Sequence, residues 1–125
     1  MILLPYPPSV NRMWRNFRGR MVMSAEGRAY KAQAALMCRA GGIKPLDGPV
    51  ELFVTLHPRL TKAGKASATR IDLDNVLKSA CDLLNGVGYA DDKQIVRIVA
   101  EIGAPVSGGG LSLSVNKKVG GFFDK

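Results

Sequence analysis

The 125 residues fit one domain, taken here as residues 1–125, and leave little room for a second. A hydrophobic fraction of 46% and a charged fraction of 22% exclude a disordered or fibrous chain, and no apolar run approaches the roughly 20 residues of a membrane helix. Eighteen Lys and Arg against ten Asp and Glu leave a formal charge of +8, a balance that favours polyanionic partners.

The charge is uneven. Residues 1–70 carry a difference of +9 and residues 71–125 one of −1, so the basic surface is mostly N-terminal while the acids cluster later. Residues 1–8 (MILLPYPP) lack a basic n-region and break at Pro5, which argues against a secretion signal. Cys38 and Cys81 stand far apart in no ligand spacing and read as reduced thiols of a cytoplasmic protein.

In chain order, residues 1–4 form a short strand before the break at residues 5–8. Residues 9–20 read as a polar, basic loop and residues 21–23 as a second short strand. Ser24 is placed as an N-cap with Glu26 in the first turn of a helix over residues 25–40, in which Ala29, Ala32, Leu36 and Ala40 fall at helical spacing before Gly41 and Gly42 end it. Residues 50–57 alternate as a strand, with Val50, Leu52, Val54 and Leu56 on one face. Residues 58–70 hold four basic residues, no acid and no period, and read as a flexible loop.

A second helix begins near Asp72–Asp74 and runs to about Asn85, burying Leu77, Ala80, Cys81 and Leu84. Residues 95–102 form a strand with Val96, Ile98, Ala100 and Ile102 facing the core, and residues 111–115 a last strand after a turn over residues 107–110. Gly120-Gly121-Phe122-Phe123 is either a tail or a segment docking on the sheet. The order predicts an α+β domain, a mixed β-sheet with two helices packed on it.

Arg70–Lys78 (RIDLDNVLK) is the most informative stretch. Asp72 and Asp74 stand at i and i+2, which share a side in extended chain but lie about 200° apart on a helix. They converge only if Asp72 belongs to the extended lead-in and Asp74 to the helix N-terminus. Lys78 returns to the face of Asp74 one turn later, and Asn75 can orient a carboxylate. A second pair, Asp91-Asp92, follows the helix and can fold back beside the first.

Converging carboxylates suit a hard cation such as Mg²⁺, which also takes waters and phosphate oxygens. Such an ion offsets phosphodiester charge and activates water, and a nearby Lys stabilises the charge that develops. The bland alternative is that these acids cap a helix and decorate a solvated turn. The basic context favours a cation, because bare carboxylates beside a phosphate-binding surface repel the ligand.

The run Asp72-Leu73-Asp74-Asn75 with Lys78, followed by Asp91-Asp92, resembles the signature of the RusA-type Holliday junction resolvases. Leu4 to Ser9 (LPYPPS) with Asn11-Arg12, and Ser24-Ala25-Glu26-Gly27 with Tyr30, extend the resemblance from about residue 3 to residue 102. It implies a small homodimeric endonuclease that binds four-way DNA junctions and cuts two strands symmetrically with Mg²⁺ or Mn²⁺. Asp72, Asp74 and Asp92 match the catalytic, metal-holding carboxylates and Lys78 the catalytic lysine, while Asp91 adjoins the matched position as a further metal candidate. The loop before the motif, often a dense arginine run in relatives, is sparser here, with Arg59, Lys62, Lys65 and Arg70.

DNA contacts are expected from Arg12, Arg15, Arg59, Lys62, Lys65 and Arg70. Trp14 and Phe17 interleave with Arg12, Arg15, Arg18 and Arg20 and can either stack on a splayed base or pack in a core or interface. His57 is read as structural, and Asp82 as a surface partner of Lys78. No small-molecule cofactor and no membrane are implied. The competing functions are a non-catalytic basic DNA- or RNA-binding module and a nuclease for other branched DNA.

Overall fold

The computed structural model describes residues 1–118, and the 120–123 segment lies outside the described residues. A four-stranded mixed sheet is built from β1 (Ile2–Leu4), β4 (Val50–His57), β5 (Ile95–Ile102) and β6 (Gly110–Lys117) in the order β1-β6-β4-β5. Neighbours are antiparallel except β4 and β5, which are parallel. A separate ribbon pairs β2 (Trp14–Phe17) with β3 (Arg20–Met23). The helices are a single turn α1 (Val10–Met13), α2 (Ala25–Ala40) and α3 (Leu73–Leu83). None of the described helices is long and apolar enough to cross a membrane.

Strict alternation places Val50, Leu52, Val54 and Leu56 of β4 beneath the helices, fully buried with Leu4, Leu111 and Leu113 from the neighbouring strands. Above them α2 contributes Tyr30, Ala34 and Cys38, and α3 contributes Val76, Ala80 and Leu83. The expected α+β architecture, two main helices on a mixed sheet, is the one observed.

Ser24 caps α2 as expected, its Oγ accepting the Gly27 N–H at 3.0 Å. Its hydroxyl lies against the Arg12 and Met13 carbonyls as well, so this one residue ties α1 to the start of α2.

Five expectations need correction. The 9–20 segment is not a loop: it contains α1 and then β2, which turns back into β3 through Arg18 and Gly19, both at positive φ (53° and 77°). That is the type I′ geometry whose twist matches a hairpin, but an Arg in its first central position conceals it in the sequence.

The Ala29, Ala32, Leu36 and Ala40 stripe of α2 faces solvent, with Leu36 69% exposed. The packed face is Gly27, Tyr30, Ala34 and Cys38. Small residues there let the helix lie close: a Cβ on Gly27 would sit 2.6 Å from the Met13 carbonyl oxygen.

α3 buries Val76 and Leu83 beside the expected Ala80 and Leu84, while Leu77 and Cys81 are only half-buried. In β5, Val50 faces Ile95 but Glu51 faces Arg97, so a bulge shifts the register. Val96 thereby leaves the core face (39% exposed), and Ile98, though opposite Leu52, lies at the sheet edge and stays 41% exposed. Ala100 and Ile102 pack on the core as expected.

Residues 58–70 are less irregular than they read. The Thr61 N–H donates to the Lys65 carbonyl at 2.8 Å and the Ser67 N–H to the Arg59 carbonyl at 2.8 Å, closing a small hairpin with Lys62 and Lys65 at its end.

His57 is structural. Its Nδ1 lies 2.7 Å from the Ala104 carbonyl and donates to it, while Nε2 lies 2.7 Å from Ser112 Oγ, a hydroxyl that can serve as its partner in either role.

Candidate active site and nucleic-acid interface

The acidic motif straddles a helix start, as its spacing requires. Asp72 is the N-cap of α3 with extended backbone (φ −68°, ψ 147°), yet its carboxylate accepts no capping hydrogen bond. No ion pair engages it among the described residues either. Asp74 lies in the first turn and accepts the Asn75 N–H at 3.0 Å. Each carboxylate also gains from the partial positive charge of the helix N-terminus. Lys78 follows one turn on.

Asp82 does not partner Lys78. It lies 3.2 Å from Lys31 Nζ on α2 instead, and no ion pair engages Lys78 among the described residues. The reason is packing: α2 and α3 lie side by side on the sheet, so the nearer cation is on the neighbouring helix.

The lead-in to Asp72 is tethered from the far end of the chain. The Ile71 N–H donates to Tyr6 Oη at 2.9 Å. The Arg59 guanidinium lies 4.1 Å from the Tyr6 ring centroid, a cation–π contact. Tyr30 Oη donates to the Pro5 carbonyl at 2.6 Å, fixing the segment that carries Tyr6, and burial pushes the Tyr30 phenol well above its ordinary value. The prolines around Tyr6 and the helix residue Tyr30 thus share one task, holding the path of residues 5–9 against the site. From sequence Tyr6 has no role of its own, although it falls within the LPYPPS segment that carries the family resemblance.

These contacts frame an open cavity of about 310 Å³ lined by Tyr6, Ser9, Arg12, Arg59, Arg70, Asp72 and Asn75. It brings three of the six expected DNA-binding residues against one of the expected metal ligands. Arg12 is also held to Glu26, Nη2 to Oε2 at 2.7 Å, an exposed pair of small energetic value that sets where the guanidinium lies. Arg15 lies on the ribbon, and Lys62 and Lys65 at the end of the 59–67 hairpin, outside this cavity.

The second acidic pair divides its work. Asp91 caps a 3₁₀ turn over Asp92–Gln94: its carboxylate accepts the Lys93 N–H at 2.9 Å while Gln94 Oε1 accepts the Asp91 N–H at 3.1 Å. The Lys93 N–H draws the Asp91 carboxyl below its ordinary pKa. Gln94 Nε2 then donates to the Leu46 and Gly48 carbonyls, anchoring the turn to the loop before β4. Asp92 instead shares a cavity of about 320 Å³ with Lys78, Cys81, Asp82 and Asn85 of the α3 side. Burial raises the Cys81 thiol pKa and the neighbouring Asp92 charge raises it further. The turn thus returns Asp92 to the helix that carries Asp74 and Lys78. No group of three His, Cys, Asp or Glu side chains is gathered into a metal-holding cluster among the described residues.

The sequence profile described as Endodeoxyribonuclease RusA matches residues 5–116. The chain belongs to the RusA family. Among curated RusA proteins, that of Escherichia coli K12, named crossover junction endodeoxyribonuclease RusA, is 37% identical over 121 residues, covering 93% of this chain and 92% of the relative. The protein of the same name from Enterobacteria phage 82 is 36% identical over the same length, with the same coverage. That of E. coli O139:H28 is 35% identical over 118 residues, again with 93% and 92% covered. The RusA match spans both halves of the site, from the Tyr6 tether to Asp92 and β6.

Proposed function

We propose that this chain is a structure-specific endodeoxyribonuclease that resolves four-way DNA junctions by paired, symmetric phosphodiester hydrolysis in recombination and repair, acting as a homodimer. The observation that carries the reading is the Asp72 carboxylate. It stands at a helix N-cap without capping, facing a cavity lined by three arginines. A capping residue spends its oxygens on the helix; this one keeps them for something else.

Asp72, Asp74 and Asp92 are the proposed catalytic carboxylates. They fit a hard divalent cation in kind, being oxygen donors open to solvent. Mg²⁺ is usually held through one or two carboxylates together with waters and substrate phosphate oxygens. Asp72, on the arginine-lined cavity, and Asp74, two residues on in the first turn of α3, are the pair that would hold the ion. When bound, Mg²⁺, or Mn²⁺ in its place, supplies a Lewis acid for the phosphodiester and lowers the pKa of water. Asp91 is a poorer metal ligand, since one of its oxygens already serves the Lys93 N–H.

The chain's own residues do the rest. Arg12, Arg59 and Arg70 bind the phosphates that flank the cut. The Tyr6 tether holds the Asp72 lead-in, and the Asn75 N–H holds the Asp74 carboxylate. Lys78, free of any carboxylate partner among the described residues, presents its ammonium to the charge that develops on the leaving oxygen. Arg15, Lys62 and Lys65 extend the basic surface along the DNA arms. Resolution needs two symmetric cuts and each chain carries one carboxylate set, so a twofold homodimer matches the symmetry of the junction.

The test is a labelled synthetic four-way junction incubated with Mg²⁺, with Mn²⁺ and with EDTA, beside three-way and linear DNA and an Asp74→Asn variant. Paired symmetric nicks that need the metal and vanish in the variant are expected. Junction binding by Asp74→Asn should hold or tighten, because a carboxylate near phosphate is lost. One unit charge about 4 Å away in water is worth about 1 kcal/mol, or up to fivefold at low salt. Tight binding without cutting in either metal would instead leave a DNA-binding protein whose acids are caps and turns.

A further inference from the structure

The β2–β3 ribbon has no part in the main sheet, and its two aromatics have different surroundings. Trp14, at the base, packs against the core. Phe17, at the far end next to the turn, is 48% exposed and belongs to neither the core nor the residues packed on it. Around it stand Arg15, Arg18 and Arg20, all exposed and none paired with a carboxylate among the described residues. The Arg15 and Arg18 guanidiniums lie 5.7 and 5.3 Å from the centre of the Phe17 ring.

The turn itself adds to the case. Arg18 holds a positive φ of 53° where Asn or Gly would sit without strain. Three mutually repelling cations around an exposed ring suit a surface that meets phosphates, with the ring available to a base.

Position links the ribbon to the proposed chemistry. Trp14 and Met21 line a cavity of about 370 Å³ together with Lys78, Ser79 and Asp82 of α3. The ribbon therefore rises from the rim of the lysine-bearing face. Phe17 lies three residues beyond Trp14 along β2, a reach of about 10 Å at roughly 3.3 Å per residue.

We propose that the ribbon is a junction-reading finger, with Phe17 stacking on a base laid open at the branch point and Arg15 and Arg18 gripping the phosphates on either side. The inference rests on the junction-resolving reading above and adds how branched DNA is told from linear DNA. Linear duplex offers the ring no exposed base face, so stacking rewards only the branched substrate. The arginines bind both.

The experiment measures affinity in EDTA for a four-way junction and for linear duplex of the same sequence, with 2-aminopurine beside the branch point of the junction. Phe17→Ala should lose about tenfold in junction affinity, the ratio given by a base–aromatic stack of about 1.4 kcal/mol. Duplex affinity should stay within about twofold, by the same arithmetic. The 2-aminopurine fluorescence rise seen with the unaltered protein should disappear, and Phe17→Trp should restore both signals. Arg18→Gln should instead weaken both substrates alike and reduce the salt dependence of binding by about one counterion.

An unchanged preference in Phe17→Ala overturns the proposal. So does an equal loss on both substrates, or a shift towards monomer in sedimentation velocity, which would make Phe17 a subunit contact. If the unaltered protein binds junction and duplex equally, the functional reading falls and the finger with it. A discriminating protein whose Phe17→Ala form discriminates as well refutes the finger alone.

Discussion

Tyr6→Phe removes one oxygen and leaves the ring, so it separates two jobs that Tyr6 performs. The lost group accepts the Ile71 N–H at 2.9 Å, while the ring that carries Arg59 at 4.1 Å stays in place. A hydrogen bond of this kind is worth about 0.5–1.5 kcal/mol net. Ile71 is half-buried, so water partly compensates its freed N–H, and the expected cost is about 1 kcal/mol, near the middle of that range. For a domain of this length that lowers Tm by about 3–5 °C. The larger effect should be on chemistry. Ile71 immediately precedes Asp72, and a misplacement of about 1 Å in a reacting constellation can cost about a hundredfold. Single-turnover cleavage of a four-way junction at saturating protein should therefore slow by about 10- to 100-fold. Junction affinity should stay within about twofold, since the cation–π platform persists. Tyr6→Leu, which removes the platform too, should weaken affinity as well as rate. A Tyr6→Phe protein with lowered Tm and an undiminished cleavage rate would refute the view that this tether positions Asp72.

Two further substitutions test the scaffold. Gly27→Ala would place a Cβ 2.6 Å from the Met13 carbonyl oxygen and 2.9 Å from Met13 Sδ and Met23 Cγ. It should destabilise by about 1–3 kcal/mol in urea titration, as overpacking does, and a neutral result would mean that α2 does not need its close approach to α1 and the ribbon. Asp91→Ala removes the cap of the 3₁₀ turn, and its effect should depend on pH with a definite sign. The Asp91 carboxyl has a folded-state pKa below its ordinary value because the Lys93 N–H donates to the ionised form. Its contribution is therefore present above the ordinary aspartate range and is lost as pH falls through the depressed folded value. The Tm gap between the two proteins should be constant near neutrality and close below about pH 4; a gap that widens in acid would contradict the capping role.

The sequence was most legible where long, regular patterns met a one-sided environment. β4 reads directly because every second residue is buried beneath the helices, and the start of α3 reads from the convergence argument at Asp72 and Asp74. The ribbon did not read because its strands are exposed along most of their length, which leaves no hydrophobic alternation, and because Arg18 occupies a turn position usually signalled by Asn or Gly. The face of α2 was misassigned because closeness, not bulk, decides it: Gly27 and Ala34 are buried while Leu36 is not. In β5 a single bulged residue reversed the parity that a period-two pattern assumes. At the site, only the family resemblance separates Asp92, the matched position, from Asp91, the further metal candidate; their spacing alone does not. They differ because Gln94 stands three residues after Asp91 and completes a capping box, a pattern visible in the sequence but eclipsed by the two carboxylates.

The place of β6 in the sheet has a consequence for the timing of synthesis. β6 lies between β1 and β4, with Ile2 opposite Leu113 and Val54 opposite Leu113 on its other side. A nascent chain that has already exposed Asp72, Lys78 and Asp92 still lacks the strand that gives β1 a neighbour. Until it emerges, β1 has no strand partner, and the segment that carries Tyr6 lacks its anchor in the sheet. At roughly 5–20 residues per second, the ribosome needs about 1–5 s to pass from Asp92 to the end of β6. Through that interval the growing polypeptide carries Asp72, Asp74 and Asp92 without β6, so the sheet on which α3 packs is completed only after all three acids have been made.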